Sequence, residues 1–141
     1  MFFSLPRPSA LQPIPGRRAL HVLLVDDDSL VRWALGCALS QHGCVVIEAK
    51  DARSAIRSVT DPSNVFDVIL LDYRLPDAQG LELLTTLSRL APQSRVMVMS
   101  AEIPADEIAE AIRRGASAFV PKPFDLDDVW TLVSRYGHPA N

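Results

Sequence analysis

The stretch Val68-Ile69-Leu70-Leu71-Asp72-Tyr73-Arg74-Leu75-Pro76-Asp77 decides how this chain is read. Four consecutive apolar residues followed by a carboxylate predict a strand buried on both faces that ends in an acid. Runs of this kind belong to parallel sheets covered by helices on both sides. In open α/β sheets, ligands sit in the crevice beyond the carboxyl ends of the strands. Asp72 is thus a candidate for that edge.

Working outward, the same grammar repeats. His21-Val22-Leu23-Leu24-Val25 predicts a first strand, closed by Asp26-Asp27-Asp28, and Ser29 is positioned to cap the helix after it. Leu30, Val31, Ala34, Leu35, Ala38 and Leu39 recur at helical spacing until Gly43. A second strand is expected over 44–48, and Asp51 or a neighbour starts a second helix that breaks at Asp61-Pro62. The third strand, over 66–71, leads past Gly80 into a helix whose apolar stripe is Leu81, Leu84, Leu87 and Leu90. A fourth strand over 95–99 precedes a helix opened by Ile103-Pro104-Ala105-Asp106-Glu107, with proline early and acids in the first turn, and ended by Gly115. A fifth strand over 116–120 and a helix from Asp125 to about 135 complete the series. Strict alternation predicts right-handed βαβ units in a flavodoxin-like (βα)5 fold, a doubly wound parallel five-stranded sheet of order 2-1-3-4-5.

Composition bounds the function. The 141 residues suffice for one domain, and 48% hydrophobic with 22% charged content is ordinary for a globular chain. A net charge of −3, with basic residues no more than paired at Arg17-Arg18 and Arg113-Arg114, argues against direct nucleic-acid binding. No cluster of histidines and cysteines surrounds Cys37 and Cys44, which are expected as buried reduced thiols. No apolar run reaches membrane-spanning length, and Pro6 and Pro8 interrupt the apolar start, so neither a membrane nor a signal peptide is expected and the cytoplasm is the default. Four of the eleven prolines fall before residue 16. The chain thus divides into a proline-rich flexible leader (1–19), one domain (20–137) and a short tail (138–141).

Three strand ends carry reactive groups: Asp26-Asp27-Asp28, Asp72 and Ser100, while the fifth leads into Pro121-Lys122-Pro123. Clustered carboxylates repel one another unless a cation sits between them, and hard oxygen ligands with open positions suit Mg2+. A carboxylate can also act as a nucleophile toward phosphorus. Mg2+ and Lys122 would supply charge to an arriving phosphoryl group, and the Ser100 hydroxyl a donor. Each group alone has an ordinary structural role: an acid at a helix start is a cap, which is the expectation for Asp28, and a lone Lys or Ser a turn residue. Their joint occurrence at successive strand ends carries the argument.

Leu23-Leu24-Val25-Asp26-Asp27-Asp28, Val68 through Gly80, Val98-Met99-Ser100-Ala101 and Gly115 through Phe124 together resemble the response-regulator receiver domain of two-component signalling. The resemblance runs from about residue 21 to 136. It implies that Asp72 accepts a phosphoryl group from the phosphohistidine of a sensor histidine kinase or a histidine phosphotransfer protein. It makes Asp26 and Asp27, with Asp72 and the backbone carbonyl of Arg74, the Mg2+ ligands. Ser100 and Phe119 become the switch pair, Ala101 the small residue beside the site, and Lys122 the phosphoryl partner beside a cis peptide to Pro123. Such a domain is not an enzyme, its phosphorylation and dephosphorylation being self-catalysed, and it switches the face of helix four, strand five and helix five. A downstream protein or a second copy of the chain would be the partner.

Two details are particular to this chain. Arg74 and Glu102, each two residues beyond a site residue, are expected to pair across the mouth of the site or else to be independently solvated. Trp33 and Trp130 are expected to be core or partly covered, with kinase contact a secondary role for Trp33. For use, the favoured expectation is a stand-alone receiver acting by protein contact. The alternatives are a phosphorelay shuttle and the receiver fragment of a DNA-binding transcriptional regulator. A haloacid-dehalogenase-type phosphatase, suggested by Asp26-x-Asp28, is a distant rival because Ser29-Leu30 breaks its motif and Asp72 would lack a role. A receiver that binds partners without being phosphorylated is disfavoured because no site residue is missing.

Overall fold

The computed structural model describes residues 18–138, so most of the leader and of the tail lies outside the described residues. Five parallel strands, β1 (His21–Val25), β2 (Val45–Ala49), β3 (Val68–Asp72), β4 (Arg95–Ser100) and β5 (Ala116–Pro121), form one sheet of order 2-1-3-4-5. Five helices alternate with them: α1 (Ser29–Gln41), α2 (Ala52–Thr60), α3 (Gly80–Leu90), α4 (Ala105–Arg113) and α5 (Leu126–Gly137). The expected doubly wound fold is the observed one. A two-stranded antiparallel hairpin pairs Arg74–Leu75 with Ala78–Gln79 just beyond β3.

β3 is continuous and apolar because it has no free side. It pairs with β1 on one edge and β4 on the other, and all five residues are buried. Alternation divides the core in two. Leu23, Val25, Ile69, Leu71, Val96 and Val98 pack with residues of α2, α3 and α4, whereas Val22, Leu24, Val68, Leu70, Met97 and Met99 pack with those of α1 and α5. Each such leucine or isoleucine contributes roughly 1.5–3 kcal/mol by leaving water. A bulge at Ser117, where Val96 pairs Ala116 and Met97 pairs Ala118, resets the alternation so that Ala116 and Phe119 both belong to the α2–α3–α4 side.

Local departures from the expected elements have plain causes. Of the two capping residues the sequence offers for α1, Asp28 is used, as expected for it, and Ser29 is not; the Asp28 carboxylate accepts from the amides of Leu30 at 2.9 Å and Val31 at 3.4 Å. A carboxylate reaches two amides where a hydroxyl one residue later is already inside the helix. On α3 the fully buried residues are Leu83, Leu84 and Leu87, while Leu81 and Leu90 are only partly covered. A strict three-residue repeat drifts by about 60° per step around an α-helix, so four such leucines cannot share one face. Gly43 and Gly115, with φ of 82° and 117°, end α1 and α4 as expected. No helix among the described residues is long and apolar enough to cross a membrane.

Arg18 forms an ion pair with Asp67, its Nη1 donating at 2.9 Å, and Asp67 also accepts from the His21 amide at 2.8 Å. Burial works against the Asp67 carboxylate, but these donors outweigh it and hold the group below the ordinary carboxylate range. The chain is thereby fixed where it enters β1, at the sheet edge opposite Asp72.

Candidate functional site

The carboxyl ends of β1, β3, β4 and β5 converge. Asp26 follows Val25, and Asp72 follows Leu71; alternation puts both on the α1–α5 side of the sheet. Asp26 and Asp72 are 1% and 5% exposed, whereas Asp27 faces solvent. One carboxylate oxygen from each of Asp26, Asp27 and Asp72 lies within 4.8 Å of the others.

Lys122 reaches into this group from the end of β5. Its Nζ donates to Asp26 Oδ2 at 2.8 Å and stands 3.6 Å from Asp72 Oδ2. The lysine amide donates to the Ser100 carbonyl at 2.9 Å, and the Lys122-Pro123 peptide is cis. Burial opposes the ammonium, yet the hydrogen bond and charge of Asp26, with Asp72 behind it, raise the Lys122 pKa above its ordinary value. Burial pushes the Asp72 carboxyl up to about 6; a hydrogen bond from the Arg74 amide at 3.1 Å and the Lys122 charge restrain the rise, and the Asp26 charge adds to it. One cation thus faces three acids. That excess of hard oxygen charge fits a divalent cation such as Mg2+, which takes carboxylates and keeps open positions. Asp26, Asp27 and Asp72 are the side chains able to hold it.

Ser100 is buried, and its hydroxyl belongs to the β4–α4 loop: Oγ donates to the Glu102 carbonyl at 2.8 Å and accepts from the Glu102 amide at 3.2 Å. It makes no hydrogen bond to Asp72 among the described residues. Phe119 is half-buried against the α2–α3–α4 core. Of the two expectations for Arg74 and Glu102, independent solvation is the one observed: no ion pair or hydrogen bond joins their side chains among the described residues. Both side chains are exposed and each is solvated independently, since a fixed surface pair gains too little to order two long side chains. Trp33 is 44% exposed, and Trp130 is partly buried with its indole stacked on His42 at 4.2 Å.

Three further contacts support the site and are not evident from the sequence. Arg32, one turn into α1, donates from Nη1 to the Asp26 carbonyl at 2.6 Å and from Nε to Glu48 Oε1 at 3.1 Å. Asp77 accepts from the amides of Ala52 at 2.9 Å and Arg53 at 3.2 Å, tying the loop beyond Asp72 to the start of α2. The Tyr73 hydroxyl donates to the Glu107 carboxylate across 34 positions of sequence. The Asp77, Tyr73 and Arg32–Glu48 contacts have no local signature, because each joins segments that only the fold brings together.

Residues 22–134 match the family described as the response regulator receiver domain. The chain belongs to that family. The receiver is 35% identical over 115 residues to the DNA-binding transcriptional regulator NtrC of Proteus hauseri, covering 82% of this chain and 24% of that protein. It is 33% identical over 115 residues to the regulatory protein AtoC of Escherichia coli, covering 82% and 24%. The chain therefore spans about a quarter of the length of the curated relatives it matches. Among solved structures, the receiver fold is shared with a CheY-like receiver domain protein of Methanospirillum hungatei, with a TM-score of 0.81, 23% identity and coverage of 85% of this chain and 94% of that one. A response regulator of Burkholderia pseudomallei with a phosphorylated aspartic acid, calcium ion and citrate superposes with a TM-score of 0.76 at 22% identity, over 84% and 68%.

Proposed function

We infer that this receiver accepts a phosphoryl group on Asp72 from the phosphohistidine of a sensor kinase or histidine phosphotransfer protein. The observation that carries this reading is the position of Lys122 Nζ, within 3.6 Å of Asp72 and 2.8 Å of Asp26 at an edge where three carboxylates meet. An Asp72 oxygen attacks phosphorus, the P–N bond to the donor imidazole breaks as the P–O bond forms, and the imidazole leaves with the electron pair. Asp26, Asp27, Asp72 and the backbone carbonyl of Arg74 would hold Mg2+. When bound, that cation supplies charge neutralisation for the incoming phosphoryl oxygens. Lys122 is placed to pair with a phosphoryl oxygen, and its bond to Asp26 keeps it charged and aimed.

Ser100 is the second partner. Its hydroxyl must leave the Glu102 backbone to reach a phosphoryl group, and that departure frees the β4–α4 loop. Phe119, on the same side of the sheet as α4, follows the space so created. The face of α4, β5 and α5 is then the output surface, for a downstream protein or a second copy of the chain, in the cytoplasm. Similarity to NtrC over one part of that regulator supports use of this domain within transcriptional control, with nucleic-acid binding left to other segments.

The test is chemical trapping. After incubation with acetyl phosphate and Mg2+, borohydride reduction should convert Asp72 alone to homoserine in the peptide carrying Tyr73 and Arg74. Reduction at another acid, or at none in a folded sample, would overturn the assignment.

A further inference from the structure

Tyr73 immediately follows Asp72, and alternation sends the two side chains to opposite sides of the sheet. While Asp72 joins the acid cluster, the Tyr73 ring enters the α2–α3–α4 core. Its placement is closely fixed. The Tyr73 amide donates to the Met99 carbonyl at 2.9 Å. A Cβ at Gly80 would come within 2.5 Å of the ring and 2.7 Å of the Tyr73 carbonyl, so the start of α3 closes directly over the tyrosine. The hydroxyl of this ring donates to Glu107 in the first turn of α4.

α4 has few other anchors. Ala111 is its single fully buried residue, whereas α3 buries Leu83, Leu84 and Leu87 and α5 buries Val129 and Val133. Its cap residue, Pro104, offers no side-chain hydrogen bond to the helix start. Two polar ties therefore hold the β4–α4 loop and the first turn to the sheet: Ser100 Oγ on the Glu102 backbone, and Tyr73 on Glu107. Both originate beside the phosphorylatable aspartate.

We propose that the hydrogen bond between Tyr73 and Glu107 holds α4 in its resting position and sets how readily this receiver switches. The proposal rests on the phosphoacceptor reading of Asp72 and adds to it a specific opposing element. Drawing Ser100 toward a phosphoryl group breaks the first tie only; the second, made by a rigid ring to a charged acceptor, still holds the helix. A ligand that favours the switched state must work against that bond, so removing the bond shifts the population before the ligand arrives and tightens its apparent binding. Tyr73 is a positioning residue here, since it acts through α4 and touches no reacting atom.

Two measurements on wild type, Tyr73→Phe, Glu107→Ala and the double variant decide the matter. The first is amide hydrogen exchange of the unliganded protein. Both single variants should speed exchange across Ala105–Arg113 while leaving β3 protected. The second is titration with beryllofluoride and Mg2+, which mimics the phosphoryl group. Each single variant should bind about three- to tenfold more tightly than wild type, the range expected when one charge-assisted hydrogen bond is lost from the competing state. The double variant should gain no more than either single one, and Glu107→Gln, which keeps an acceptor, should fall between wild type and Glu107→Ala. Unchanged exchange in α4 overturns the tie. Faster exchange with unaltered or weaker beryllofluoride binding shows a merely structural bond and overturns its role in switching. Absence of beryllofluoride binding by wild type would remove the phosphoacceptor reading and the switching role with it, while exchange would still report separately on the tie.

Discussion

Lys122 Nζ lies 2.8 Å from Asp26 Oδ2 across 96 positions of sequence, joining the end of β5 to the end of β1. Asp26 is 1% exposed, and its buried carboxyl is held by this ammonium and by the Asp28 amide, which donates to Oδ1 at 2.9 Å. Removing one partner of a buried pair leaves the other uncompensated. Lys122→Met should therefore destabilise the fold by about 3 kcal/mol, at the lower end for such deletions because the lysine retains some solvent contact. Urea unfolding in EDTA measures it. The variant should also label poorly with acetyl phosphate, whereas wild type labels.

Asp72→Asn should act in the opposite sense on stability. Burial and the nearby Asp26 charge put the Asp72 pKa at about 6. The folded state thus holds this proton more tightly than the unfolded chain, whose value is about 3.9. Stability is favoured below the unfolded value and is lost as pH rises through the folded one. At pH 7.5 without divalent cation, wild type carries that penalty and the variant does not. The variant should be more stable by an amount on the order of 1–2 kcal/mol, with the gap narrowing as pH falls from about 6 toward about 4. Added Mg2+ should close it at pH 7.5 by stabilising wild type alone.

Asp67 gives the reverse pH dependence. Its carboxyl is held below the ordinary range by Arg18 and the His21 amide despite burial. A depressed folded value contributes stability above the unfolded pKa and loses it as pH falls through the folded one. Asp67→Ala should cost about 1–3 kcal/mol at pH 7, because the His21 amide loses its acceptor. Arg18→Ala should cost less than about 1 kcal/mol, since the guanidinium is exposed. Unfolding curves should show the Asp67 deficit shrinking below about pH 4.

The junction of α4 and β5 offers a packing test. Ser88 Oγ is buried without a hydrogen-bond partner, and a Cβ at Gly115 would lie 2.7 Å from it. Gly115→Ala also meets a φ of 117°. It should lower the melting temperature, and Ser88→Ala should recover part of the loss by relieving the clash but not the backbone strain. Ser88→Ala alone should be neutral or stabilising by up to about 1 kcal/mol, since it removes an unsatisfied buried polar atom.

Much of this was legible in the chain because the signals were local. β1 and β3 announce themselves as short apolar runs ending in acids, and Gly43 and Gly115 mark helix ends that require positive φ. Asp26, Asp27, Asp72, Ser100 and Lys122 could be grouped before any coordinates, because a parallel sheet carries all its strand ends to one edge. What escaped depended on how side chains are aimed once the helices are placed. Tyr73 on Glu107, Asp77 on the amides of α2 and Arg32 on the Asp26 carbonyl follow from helix placement, which no spacing rule encodes. Of the two alternatives for Arg74 and Glu102, independent solvation holds, because proximity to one site does not make two exposed side chains meet.

Cation-dependent phosphorylation of Asp72 is the step from which the proposed function follows. Intact-protein mass spectrometry after incubation with acetyl phosphate tests it most directly, with Mg2+ or EDTA, on wild type and Asp72→Asn. One added phosphoryl group is expected on wild type with Mg2+, none with EDTA, and none on the variant under either condition. An adduct of the same mass on folded Asp72→Asn, or no adduct on folded wild type with Mg2+, would contradict it.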